Sequence, residues 1–272
     1  MTADDDLDDL TRIAEQAVGL GYDIVRNTTP AEVRLKGDRD LVTDVDLAVE
    51  SQIRNFLGRM TPDIAFLGEE ESSTAALDGD EDVWTLDPVD GTSNFAHGVP
   101  LYAVSLALVR DGEPVVASIV APFLDLRYVA TRGLGSFRNG TQLRVSKSAN
   151  LAASIVSMGD YAVGSNASAK NQFRLGVTSL LAAHVERVRM FGSAALDLAW
   201  VAEGWTDAAV ILGNKPWDTA AGVLIAREAG ALVTDARGIR HNHSSKATIA
   251  MAPGISDALI ALISSKQIWS QT

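Results

Sequence analysis

Apolar or small residues recur every three or four positions at Leu7, Leu10, Ala14, Ala17, Gly21 and Ile24, and again at Val45, Val49, Ile53, Phe56 and Met60. That spacing puts them on one face of a helix and predicts helices over 6–26 and 45–60. The pattern then shortens. Runs at 64–67 and 83–86 are apolar without helical period and read as buried strands, each delivering carboxylates at its C-terminal end, where open α/β sheets place their sites. Residues 72–82 between them read as a polar loop. Strands at 102–109 and 114–121 flank Arg110-Asp111-Gly112-Glu113, and shorter ones at 127–130 and 142–145 flank Asn139-Gly140, both hairpin signatures. The first half is therefore two helices and a largely antiparallel sheet.

Beyond residue 146 the pattern alternates. Strands are expected at 155–158, 185–190, 208–212, 231–234 and 248–252, and helices at 169–184, after Gly192, at 218–229 and at 257–268. The organisation is α/β, with an α+β half over 1–145 and an α/β half over 146–272. No linker and no repeat of fixed period separates them, so the site is expected in their seam.

Composition narrows the classes. A chain of 272 residues with 47% hydrophobic content can bury a substantial core. Its formal charge of −12 repels polyanions, which argues against a nucleic-acid partner. The N-terminal MTADDDLDDL lacks a basic region and an apolar stretch, and no apolar run reaches the roughly 20 residues that span a bilayer. No membrane association and a cytoplasmic location are the expectation. Without cysteine there are no disulfides and no zinc-thiolate sites.

The chemistry sits in three acidic motifs: Gly68-Glu69-Glu70, Asp87-Pro88-Val89-Asp90-Gly91-Thr92 and Trp217-Asp218. Carboxylates beside buried strands are costly unless a cation neutralises them, and hard oxygen donors suit Mg²⁺ or Mn²⁺. Each motif alone also has an ordinary reading. D-P-V-D-G makes a good surface turn, and Thr43, Asp44, Asp46 and Asp218 make good helix caps. Adjacent acids on a strand cannot both face inwards, so one of Glu69 and Glu70 is expected at the site and the other in a supporting or solvated position. His241 and His243 lie in a Ser-rich segment and are expected to be solvated.

Together the ordered motifs G-E-E, D-P-V-D-G-T-S-N-F, G-S-A-A-L-D and W-D-T-A-A-G resemble the inositol monophosphatase family of Mg²⁺-dependent, lithium-sensitive phosphatases, from about Leu35 to Gly230. The resemblance implies a layered αβαβα sandwich, a homodimer and hydrolysis of a small phosphomonoester. It implies two or three Mg²⁺ ions, with Mn²⁺ as a substitute. By position, Glu69, Asp87 and the Val89 carbonyl resemble ligands of one metal, and Asp87, Asp90 and Asp218 those of a second. Asp46 and Thr92, together with Glu69, resemble the catalytic group around the attacking water. Gly91 and Thr92 resemble the phosphate-facing amides; Asp90, Gly192, Ser193 and Ala194 match the alcohol-facing positions, and Lys36 lies one residue from the family's active-site lysine. Where inositol-specific members carry a glutamate that binds a ring hydroxyl, this chain has Ile211, which cannot accept that bond. Inositol 1-phosphate within a broad range is the expected substrate. Histidinol phosphate, sugar phosphates and nucleotide phosphates are the alternatives, and a non-catalytic binding module is the rival from another class.

Overall fold

The structure, a computed structural model, describes residues 3–70, 77, 79, 81–213 and 215–264. Fourteen strands and seven α-helices among these residues stack as five layers. The first layer is α1 (Ala3–Asn27) and α2 (Asp44–Met60), joined by a hairpin of β1 (Val33–Gly37) and β2 (Asp40–Thr43). Their apolar stripes, Leu10, Ala14, Ala17, Val49 and Ile53 among them, bury against Trp84, Val104, Leu106 and Val116 of the second layer.

That second layer is a seven-stranded sheet of β3 (Ala65–Gly68), β4 (Val83–Asp90), β5 (Ala103–Arg110), β6 (Glu113–Ala121), β7 (Leu126–Thr131), β8 (Gly135–Arg138) and β9 (Thr141–Gln142), adjacent in chain order. Only the β3–β4 pair is parallel. The five-residue α3 (Thr92–Ala96) follows β4. The last strand is shorter than the expected 142–145: Leu143 turns into the core while Val145 bonds to Ala229 O.

The other face of this sheet packs on the middle layer, α5 (Ala194–Ala202) and α6 (Pro216–Glu228), through small residues such as Ala103, Ala107, Ala117, Ala195, Ala199 and Ala221. Both helices also pack on a five-stranded sheet. Its order is β11 (Arg187–Arg189), β10 (Ile155–Met158), β12 (Ala208–Leu212), β14 (Ala247–Met251) and β13 (Leu232–Thr234), with the β10 pairs parallel and the β14 pairs antiparallel. The outer layer, α4 (Ala167–His184) and α7 (Ser256–Ile263), covers the remaining face through Val177, Leu181, Leu259 and Ile263. Sandwiched helices must be apolar on two faces, and α5, AALDLAWVA, is buried at every position after Ala194. Most of the polar loop expected at 72–82, and the last residues of the helix expected at 257–268, lie outside the described residues.

Candidate active site

Strand β4 is buried at every position, yet ends in two acids. Asp87 pairs with Ser105 and Asp90 with Ala103, so one extra residue bulges out between them. Pro88 occupies that bulge, where its missing N–H costs the ladder nothing. Asp87 and Asp90 are thereby held at 3% and 7% exposure. Gly91 then takes φ +91°, and a Cβ there would meet Leu101 O at 2.9 Å and Gly192 O at 3.0 Å. Only glycine lets the backbone turn this close to the start of α5.

Three further segments converge on this turn. Thr43 caps α2 and Asp46, its third residue, returns the contact through Thr43 N at 3.0 Å and the Thr43 hydroxyl. The other Asp46 oxygen faces the Thr92 hydroxyl at 3.2 Å, which lies 3.0 Å from Val89 O. Asp218 makes the equivalent contact in α6, accepting from Lys215 N at 2.9 Å. Asp90 accepts from the N-terminus of α5: Ala194 N at 3.1 Å, Ala195 N at 2.8 Å and the Ser193 hydroxyl. The capping reading and the clustering of the acids are thus both true, because the caps of α2 and α6 and the N-terminus of α5 gather around the end of β4.

Lys36 reaches in from β1 and donates to Glu69 and Glu70, each at 2.8 Å. The strand ends at Gly68, so alternation no longer separates the two acids, and both turn to the same cation. Contrary to a solvated second acid, the Glu70 side chain is 2% exposed and Glu69 23%. Glu50 of α2, fully buried, holds this turn by accepting from Glu70 N at 2.9 Å while pairing with Arg54 at 2.8 Å. Its sequence signal was a glutamate amid the buried face of α2.

The electrostatics follow from this crowding. Burial, then Glu69, Asp90, Asp218 and Asp46 in that order, push the Asp87 carboxyl well above the usual carboxylate range. Burial raises Asp90 to about 6 and Asp218 to about 7, against the hydrogen bonds each accepts. Glu70 rises to about 7, mainly by burial, and Asp46 also rises through burial. Burial opposes the charge on Lys36, but Glu69 and Glu70 outweigh it and hold its pKa up. Among the described residues no three acids or histidines are turned to a common point as ligands. The donor set nevertheless fits a hard cation: every group is oxygen, and Asp87, Asp90 and Asp218 are each destabilised as anions by burial first and by their acidic neighbours as well.

The family model that describes the inositol monophosphatase family matches residues 6–268. The chain belongs to that family. Its members are phosphomonoester hydrolases, so this chain is an enzyme of that kind. Among curated members it is 38% identical over 243 residues to an inositol monophosphatase of Dictyostelium discoideum, covering 88% of each chain. It is 36% identical over 242 residues to the probable inositol 1-monophosphatase ImpA of Mycobacterium tuberculosis, covering 89% of this chain and 88% of that one. Among solved structures, the extragenic suppressor protein suhB of Bartonella henselae superposes with a TM-score of 0.86 at 34% identity, covering 93% and 98% of the two chains. An IMPase of Thermotoga maritima gives 0.84 at 32% identity, covering 98% and 99%. These matches establish the layered sandwich as the family fold.

Three family-derived or local expectations change in the structure. Ile211 is 5% exposed and packs in a cluster with Leu198, Val201 and Val223, so it belongs to the core between β12 and the middle helices and offers a ligand little surface. His241 is also buried, at 5%, with Nε2 2.9 Å from the Thr248 hydroxyl, while Arg227 donates to its carbonyl at 2.5 Å. Burial lowers its pKa to about 4, leaving it neutral and core-like rather than solvated. His243 lies against the β5–β6 turn, its Nδ1 3.2 Å from Gly112 O. Finally, Asp197 in α5 closes the G-S-A-A-L-D motif, which gave this acid no role of its own, although an acid within a helix apolar all round is a signal. It is 1% exposed, and neither of its oxygens nor the nearby Ser157 hydroxyl completes a hydrogen bond of good geometry.

Proposed function

We propose that this enzyme is a Mg²⁺-dependent phosphomonoesterase acting on small phosphorylated alcohols, with inositol 1-phosphate within a broad range. What supports this most is the convergence of Asp46, Glu69, Asp87, Asp90 and Asp218, from four separate segments, onto the turn at Gly91-Thr92. Glu69, Asp87 and the Val89 carbonyl would hold one Mg²⁺ ion, and Asp87, Asp90 and Asp218 another, with Mn²⁺ as a substitute. A divalent ion held there would supply acidification of a water and offset charge on the departing alkoxide. Asp46 and Thr92 orient that water, the hydroxyl as a bridge and the carboxylate as proton acceptor. The amides of Gly91 and Thr92 face the phosphoryl oxygens. Gly192, Ser193 and Ala194 border the alcohol, and Lys36 balances Glu69 and Glu70. The same reading carries the homodimer, the Li⁺ inhibition and the cytoplasmic location expected from the sequence.

Breadth of specificity follows from position 211. The alkyl group there is buried in the core and supplies no acceptor for a ring hydroxyl, so nothing at this position favours one small polyol over another. The test is phosphate release from inositol 1-phosphate and glycerol 2-phosphate, with Mg²⁺ and with EDTA. Release only with Mg²⁺, and a loss of roughly 10² or more in kcat for both Asp90→Asn and Asp218→Asn with unchanged circular dichroism, is expected. Comparable turnover of either variant at saturating Mg²⁺ removes that residue from the metal site.

A further inference from the structure

Away from the carboxylates, a cavity of about 570 Å³ opens where α4, the end of β12 and the start of β14 meet. Its size is that of a pocket for a small organic molecule. Its walls are largely apolar, formed by Phe173, Leu212, Ala236 and Ala247. Its charged lining residues are Lys170, Arg174 and Lys246, with no carboxylate among the described lining residues. In a chain of formal charge −12, this is a local reversal of sign.

The cations differ in what they do. Arg174 is buried and committed to the scaffold, donating to Asp160 O at 2.6 Å and to Leu212 O, so it ties α4 to the ends of β10 and β12. Lys170 and Lys246 are exposed and have no ion pair among the described residues. Lys170 is the fourth residue of α4, whose first turn holds no acid and whose cap, Asn166, makes no side-chain hydrogen bond. A cation near a helix N-terminus opposes the macrodipole, so its placement costs the helix unless an anion answers it.

We infer that this cavity binds a small organic anion with an apolar body, the body against Leu212, Ala236 and Ala247 and its acidic group between Lys170 and Lys246. Such a site is separate from phosphate hydrolysis and goes beyond it.

The probe is 8-anilinonaphthalene-1-sulfonate, an aromatic sulfonate of this chemistry, titrated by fluorescence into the full chain in EDTA so that the carboxylate site takes no part. Wild type is expected to bind it saturably, and the double variant Lys170→Glu, Lys246→Glu to weaken binding at least tenfold. Reversal at position 170 favours the α4 dipole, so weakened binding is not a folding defect. Ala236→Trp, which fills the volume without touching charge, should weaken the probe to a similar degree. Turnover of glycerol 2-phosphate with Mg²⁺ should stay at the wild-type value in both variants. Wild-type affinity for the probe in either variant, or no saturable binding to wild type, overturns the inference. Failure of wild type to hydrolyse any phosphomonoester would instead overturn the phosphatase reading and leave this one standing.

Discussion

At the scale of single residues, the Thr92 hydroxyl is placed between Val89 O and Asp46. Thr92→Ala should lower kcat by roughly 10² or more with little change in KM, the loss expected when a general-base arrangement is removed. Steady-state kinetics decide it: a raised KM at constant kcat would make Thr92 a binding residue. Asp197 gives a pH prediction. Burial, opposed by Ser157 and assisted by Asp90 and Asp160, raises its pKa to about 8. An acid with a raised folded pKa keeps its proton in the fold and loses it in the unfolded chain, so stability falls as pH rises from about 4 to 8. Asp197→Asn removes that dependence. In EDTA melts the variant should gain on wild type by a few °C between pH 5 and pH 8. A constant difference across that range would show that Asp197 does not titrate there. Thr92 and the five motif acids were legible in sequence because their motifs cluster. Glu50 and Asp197 were not, because an acid's burial depends on which helix faces are covered, and that is a property of neighbouring layers.

At the scale of elements, α5 and α6 approach unusually closely. A Cβ on Gly222 would stand 2.6 Å from Leu198 Cβ and Cδ1. Gly222→Ala improves helix propensity by about 1 kcal/mol but must push the two helices apart, and overpacking of this kind costs about 1–3 kcal/mol. A net fall in Tm is expected by thermal denaturation, with a loss of kcat because α5 and α6 carry Ser193 and Asp218; a raised Tm would show that the layer yields freely. Periodicity located the long helices and the central strands well, since burial of one face or two leaves a clear trace. It missed the β1–β2 hairpin, whose first strand is exposed at all five positions and so carries no apolar rhythm. At five residues α3 is little more than one turn and too short for a periodic trace, and only the Gly91-Thr92 motif marks its start.

For the whole molecule, the acids come from both sheets' territories, with Asp46 to Asp90 on one side and Asp218 at the head of α6 in the shared middle layer. A cation held by all of them binds only the docked arrangement, so Mg²⁺ at a hundredfold over its Kd should add about 2.7 kcal/mol. That corresponds to roughly 5–10 °C in Tm for a chain of this size, read by melts with Mg²⁺ and with EDTA. Asp218→Asn should lose most of the shift; an undiminished shift would mean that the ion is held by the first half alone. The spacing of these residues also orders events during synthesis. Asp87 and Asp90 leave the ribosome well before Asp218, and until α6 has been made and inserted between the sheets they lack one of the partners that would let a cation settle. An interrupted chain would keep its acids in mutual repulsion and its middle layer open to proteases, so capture of an ion there would amount to a check that translation had entered the last quarter of the chain.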